Sequence, residues 1–186
     1  MNFLCNNIPM KLCSNLLKVK IVLSIFLILL LFLLPLFLFS CSNSPNYPAM
    51  IDSNNTYEEI ALSEEQKNIY PNCTIENYFI SGEKKIFRVI SERGFVDEIN
   101  LLVLLEGTTI QKIQGIDVKE SENYGMNCFT GTYLTQFEGI DLAEIEVVRG
   151  KETPYDQGEI IYVTHATTTS KAILSAVNAI AVFVNS

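Results

Sequence analysis

Nineteen consecutive residues, Ile21 to Phe39, are apolar except for Ser24 and Pro35, and a helix that is hydrophobic all round must be buried in protein or in lipid. At about 1.5 Å per residue this run would extend roughly 28 Å, close to the ~30 Å hydrocarbon thickness of a bilayer. It is longer than the core of a cleaved secretory signal, which holds about 7–15 residues. Lys11, Lys18 and Lys20 precede it, and every acidic residue follows, the first being Asp52. By the positive-inside rule the lysine side stays in the cytoplasm and the remainder is exported. The chain of 186 residues therefore divides into a cytoplasmic n-region and anchor over 1–41, a polar Pro-containing linker over 42–60, and one extracytoplasmic domain over 61–186.

The end of the apolar run allows a second kind of anchor. Leu38-Phe39-Ser40-Cys41 resembles a lipobox, in which the Cys is lipidated and becomes the first residue of the mature chain. A retained single-pass helix and a lipid on Cys41 both tether the domain to the cell (inner) membrane, facing outward. The chain carries 13 Lys+Arg against 21 Asp+Glu, a formal net charge of −8, and the part beyond the anchor is more acidic still. Such a surface argues against nucleic acid or anionic lipid as a partner. Of the five cysteines, only Cys73 and Cys128 fall in the exported domain. An oxidising exterior lets them pair, while two small buried thiols satisfy the same sequence. The one His builds no zinc-ligand spacing with them, so no metal or iron–sulfur site is expected.

The domain itself reads as α+β, a small, mostly antiparallel sheet packed against helices. Glu58 to Tyr70 has a helical pattern, and from Phe79 the pattern turns to strands. Phe87, Val89, Phe95, Ile99, Leu101, Val103 and Leu105 alternate with more polar positions. Glu106-Gly107-Thr108 supplies a turn, and Ile110 to Val118 a return strand. A short helix is expected over Phe129 to Gly139 with Tyr133, Leu134 and Phe137 on one face, then a strand over Glu144 to Val148 and a loop at Thr153-Pro154-Tyr155-Asp156. Ile173, Ala176, Val177, Ile180, Ala181 and Val184 recur at the spacing of a core-facing helical stripe.

That last helix is preceded by Thr164-His165-Ala166-Thr167-Thr168-Thr169-Ser170-Lys171-Ala172. Ser and Thr here suit an N-cap cluster that satisfies the orphan N–H groups of the first turn. The same hydroxyls and N–H groups, at the positive end of a helix dipole, also suit a phosphate. No G-x-G-x-x-G, P-loop or nucleophile–base pair offers a competing site.

The stretch resembles the S/T-G-A-T-x-T/S segment of the FMN-binding domain family, whose members carry flavin in the Rnf ion-translocating electron-transport complex and in the sodium-pumping NADH:quinone oxidoreductase. On this chain Thr164 takes the Ser/Thr place, His165 the Gly place and Ala166 the Ala place. Thr167 takes that of the residue esterified to the FMN phosphate, with Thr168 and Thr169 beside it. Ile161 stands where the family has an Asp. Glu120-Ser121-Glu122-Asn123-Tyr124-Gly125-Met126-Asn127 resembles the family's H-x-E-T-P-G-L-G loop at Glu122, Gly125 and Met126, with Asn123-Tyr124 in place of Thr-Pro. The resemblance implies that this loop lies against the flavin, with Tyr124 and Met126 packing on the isoalloxazine. Gln136-Phe137-Glu138-Gly139 and the Glu106-Gly107 hairpin also have counterparts, so that the likeness runs from about residue 86 to 184.

By resemblance, the protein is a membrane-tethered electron carrier with covalent FMN on Thr167. A separate exported flavin transferase attaches it, and the other membrane components of an Rnf-type electron-transport complex are its partners. Two alternatives share the sequence. One is a stand-alone FMN-binding lipoprotein of an extracellular reductase, and the other a non-enzymatic ligand-binding surface lipoprotein in which the threonines merely cap.

Overall fold

Five strands form one antiparallel meander. In the computed structural model, which describes residues 45–143, 148–151 and 159–186, they are β1 (Glu58–Ile60), β2 (Cys73–Ser81), β3 (Lys84–Ser91), β4 (Ile99–Glu106) and β5 (Thr109–Gly115), side by side in chain order. The expected hairpin is β4–β5, with Glu106 opposite Thr109. Gly107 turns the chain at φ +62°, a conformation that costs a residue without Cβ little. The expected Ile110 to Val118 strand ends at Gly115, against whose Cα the Val118 and Phe129 side chains pack.

Both faces of this sheet are covered, and β4 shows why alternation alone understates it. Ile99, Leu101, Val103 and Leu105 face one apolar cluster, while Leu102 and Leu104, between them, face a second. Two bulges reset the period-two pattern. Between Ile75 and Asn77 the register of β2 shifts, so Ile75 joins the first cluster and Phe79 the second. The shift between Leu104 and Leu105 likewise brings Ile110 and Ile113, an odd number of residues apart, onto one face.

The first face is covered by the long C-terminal helix, Thr167–Asn185, which packs across β2, β3 and β4. Its expected stripe is the buried one: Ile173, Ala176, Val177, Ile180 and Ala181 are all fully enclosed. By length and composition this helix is apolar enough to cross a membrane, yet 61% of its apolar window is buried inside the domain. Its hydropathy is that of a core element.

The second face is covered from the N-terminal side, where the sequence reads as a linker. Within 42–60 lie the helix α1 (Tyr47–Ile51), started by Asn46 with Pro48 in its first turn, and the strand β1. Ile51, Tyr47 and Tyr57 pack on Phe79, Ile86, Leu102, Leu104 and Ile116. Asn46–Ser186 thus form one unit, with β1 completing the sheet edge. The helical pattern read over Glu58 to Tyr70 resolves into β1 and a single turn of helix, α2 (Glu64–Lys67), closed by a capping box between Ser63 and Gln66. Likewise, the helix expected over Phe129 to Gly139 is split into α3 (Asn127–Thr130) and a 3-10 turn (Leu134–Phe137), although Tyr133, Leu134 and Phe137 are buried together as expected. A two-residue parallel pair, β6 (Gly150–Lys151) and β7 (Ile160–Ile161), precedes the C-terminal helix, numbered α4. The anchor, Cys41, most of the Glu144 to Val148 strand and the Thr153 to Asp156 loop lie outside the described residues.

Candidate functional site

The start of α4 is built by a turn that needs a left-handed residue. His165 supplies it at φ +65°, in the place where a Gly is the expected type. Ala166 N–H then bonds Val163 O at 2.9 Å, and the Ser170 N–H returns to Ala166 O at 2.9 Å. The N-cap residue is consequently Ala166, and no side chain caps the helix. The threonines do not serve as caps. The N–H groups of the first turn, which have no intrahelical acceptor, remain available to an external one.

Two further contacts hold this turn from behind. The Tyr133 hydroxyl donates to Ser170 O at 2.8 Å, and burial pushes that phenol well above its ordinary range. Gln136 spans the backbone of Ile161, its Nε2 donating to the carbonyl at 3.1 Å and its Oε1 accepting the N–H at 2.9 Å. A side-chain amide used this way acts as one more strand for β7, and it fixes the segment that enters the threonine run.

Thr167, Thr168 and Thr169 line a cleft of about 430 Å³ with His165, Ala166, Phe95, Ser121, Tyr124 and Gly125. That lies in the range of small-molecule sites, about 300–1,000 Å³. The loop and the threonine run, far apart in sequence, thus form one site. Thr169 is buried, Thr167 half-buried and Thr168 exposed. The rings of Tyr124 and His165 meet edge-on at 6.2 Å. Tyr124 and Phe95 stay 52% and 68% exposed, an unusual state for large aromatics unless something covers them.

The cleft's second wall is the turn after Glu120. Ser121 organises it: its carbonyl accepts from Tyr124 and Met126 N–H, both at 3.1 Å, and its hydroxyl from Gly125 N–H at 3.0 Å. Gly125 is obligatory, because a Cβ there would overlap Glu120 Oε2 and stand 2.9 Å from Thr169 Oγ1. Three expected site residues fall elsewhere. Glu122 is exposed and Met126 caps α3, neither lining the cleft, and Thr164 lines a separate groove with Gln136 and Ile161. Phe95 and Ser121 line the cleft without having been expected to.

Two cations stand alongside this cleft. Arg93 and Lys171 line an adjoining cleft of about 450 Å³ that shares Thr168, with Lys171 over the Tyr162 ring at 5.7 Å. Cys73 and Cys128 are free and buried, and Cys128 Sγ lies 3.5 Å from Ser170 Oγ. Among the described residues, no three His, Cys, Asp or Glu side chains gather as metal ligands.

Against known proteins, the model of the FMN-binding domain family matches residues 94–182, a span that includes every residue lining the first cleft. Among solved structures, the crystal structure of Shewanella oneidensis NqrC aligns at 13% identity and a TM-score of 0.44, over 64% of this chain and 61% of that one. This chain therefore covers under two thirds of that relative's length. No curated protein matches the sequence. Residues 94–182 of this chain thus match an FMN-binding domain.

Proposed function

We propose that this protein is a membrane-tethered electron-transfer flavoprotein in which the Thr167 hydroxyl is joined to the phosphate of FMN. The observation that carries this reading is the uncapped start of α4 at the cleft. Thr167 is its first residue, the first-turn N–H groups lack a side-chain acceptor, and the space beside them is bounded by two exposed aromatics. A phosphodiester monoanion suits that helix end, and Arg93 and Lys171 add positive charge alongside. Thr168 and Thr169 flank the attachment point, while Phe95, Tyr124 and His165 offer flat surfaces for a ring system. When attached, the flavin supplies the redox chemistry, and the protein sets its exposure and potential.

The 21–39 run tethers the domain to the cell membrane, which places it outside the cytoplasm, where a covalent link prevents loss of the cofactor by diffusion. An exported flavin transferase makes the bond. The partners are the membrane components of an Rnf-type ion-translocating complex, within which this chain relays electrons. Positive φ at His165 is compatible with that assignment, since His is among the residues that tolerate the left-handed region.

The test is mass spectrometry of the peptide spanning Thr167, from native membranes, with in-gel fluorescence under ultraviolet light as a second readout. The expected result is a peptide carrying FMN as a phosphoester and a fluorescent band that Thr167→Val abolishes. An unmodified peptide from native material overturns the reading. Copurification of the flavin-bearing chain with integral membrane redox proteins would support the complex, and its recovery as a lipid-modified protein alone would support the stand-alone reductase partner instead.

A further inference from the structure

Glu120 is a buried carboxylate, 8% exposed, set behind the cleft. Its Oε1 accepts the Phe95 N–H at 2.7 Å and lies 3.4 Å from Val96 N, and its Oε2 lies 3.4 Å from Ser121 N. Two glycines leave it room. A Cβ on Gly94 would overlap the Asp97 carbonyl and also come 3.0 Å from Oε1, and one on Gly125 would overlap Oε2 and stand 2.9 Å from Glu120 Cβ. The carboxylate is thus wedged between residues 94–96 and 121–125, the two loops that contribute Phe95 and Tyr124 to the cleft. Among the described residues it makes no ion pair, so only backbone N–H groups offset its charge. A carboxylate so enclosed depends on those hydrogen bonds to replace the water it has lost. A surface Glu would have no such dependence.

We infer that Glu120 is a positioning residue: its carboxylate clasps the two loops that carry Phe95 and Tyr124, and its negative charge, behind the cleft that would hold the flavin, would lower that flavin's reduction potential. The clasp stands on geometry alone, whereas the electrostatic part rests on the flavin reading of the same cleft. A fixed negative charge in a low-dielectric setting opposes the addition of electrons to a nearby ring.

Two conservative variants separate the parts. Glu120→Gln keeps an oxygen for the Phe95 N–H but removes the charge; Glu120→Asp keeps the charge but is one methylene too short to reach. Hydrogen exchange on the flavin-free full chain in detergent reads the clasp. Peptides holding Phe95 and Val96 should exchange at least about tenfold faster in Glu120→Asp and near the wild-type rate in Glu120→Gln, with β3 and β4 peptides unchanged in both. Spectroelectrochemistry of flavin-loaded protein reads the charge. The potential should move positive in Glu120→Gln and by less in Glu120→Asp. Wild-type exchange at Phe95 in Glu120→Asp overturns the clasp, and an unshifted potential in Glu120→Gln overturns the electrostatic role. Wild-type protein that never carries flavin overturns the flavin reading and this electrostatic role with it, while exchange still decides the clasp.

Discussion

The Ser170 hydroxyl, fully buried in the first turn of α4, accepts the Val163 N–H at 3.1 Å. That bond spans the His165 turn and ties the helix to the strand segment entering it, so Thr167 is held between two fixed points. Ser170 is more than a helix former with a spare hydroxyl, since Tyr133 and Cys128 also converge on it.

Ser170→Ala should therefore destabilise the domain by about 1–3 kcal/mol, the cost of leaving a part-buried N–H without an acceptor. Equilibrium urea unfolding measures it. An unchanged midpoint would mean that water replaces the hydroxyl and that the turn does not depend on it.

At His165 the backbone lies in the left-handed region, where a Cβ costs roughly 1–2 kcal/mol and a β-branched side chain more. His165→Val should lower stability further, because β-branching adds to a Cβ cost that His already bears. His165→Gly should be neutral or slightly stabilising, because relief of strain is offset by the roughly 0.5–1 kcal/mol of extra chain entropy that Gly loses on folding. Thermal melts of the two variants side by side test the sign. Equal melting temperatures would contradict the strained geometry.

The N-terminal cover of the sheet hangs on Asp52. Its carboxylate accepts from Lys84 Nζ at 3.0 Å, Tyr57 OH and Asn55 Nδ2 at 2.8 Å, and Asn54 N at 3.1 Å. Lys84 foremost, then Tyr57, hold its pKa well below the ordinary 3.8. A depressed folded value means the stabilisation is fully present above the unfolded pKa and is lost as pH falls below about 4 and on through the folded value. Asp52→Asn should cost about 2 kcal/mol at neutral pH, and the gap to wild type should shrink as pH drops through that window. Unfolding curves at a series of pH values decide it, and a pH-independent gap would refute the charge-based account.

Cys73 and Cys128 are enclosed thiols whose pKa values burial pushes upward. Since the thiolate is the reactive form, both should resist alkylation in the folded protein and react promptly once denaturant is added. Peptide-resolved mass spectrometry distinguishes them from the other cysteines. A disulfide between the two in exported protein would contradict the free pair found in the fold.

Much of the framework is legible in local sequence. The β4–β5 hairpin follows from apolar alternation ending at Glu106-Gly107, and the face that α4 buries follows from a helical repeat. The positive φ at His165 agrees with the Gly place that the family resemblance gives it. Misreadings arise where a distant partner alters the local signal. Tyr47 to Ile60 is polar and Pro-containing enough to read as linker, yet Ile51, Tyr47 and Tyr57 find apolar partners on the far face of the sheet. The alternation read over β4 passes over Leu102 and Leu104, because nothing local reveals a second covered face. The threonine run reads as caps, but the His165 turn puts Ala166 at the cap position instead.

The sequence by itself determined the periodic elements, the turn residues and the run of hydroxyls at the head of the last helix, because spacing and backbone preference act over a few residues. Only the tertiary structure decided that Phe95, Ser121 and Gly125 meet Thr167 in one cleft and that Glu120, not Glu122, is the buried carboxylate behind it. Such contacts join loops twenty-five or more residues apart, and they form only once the sheet has fixed where each loop emerges and the core has excluded water from the space between.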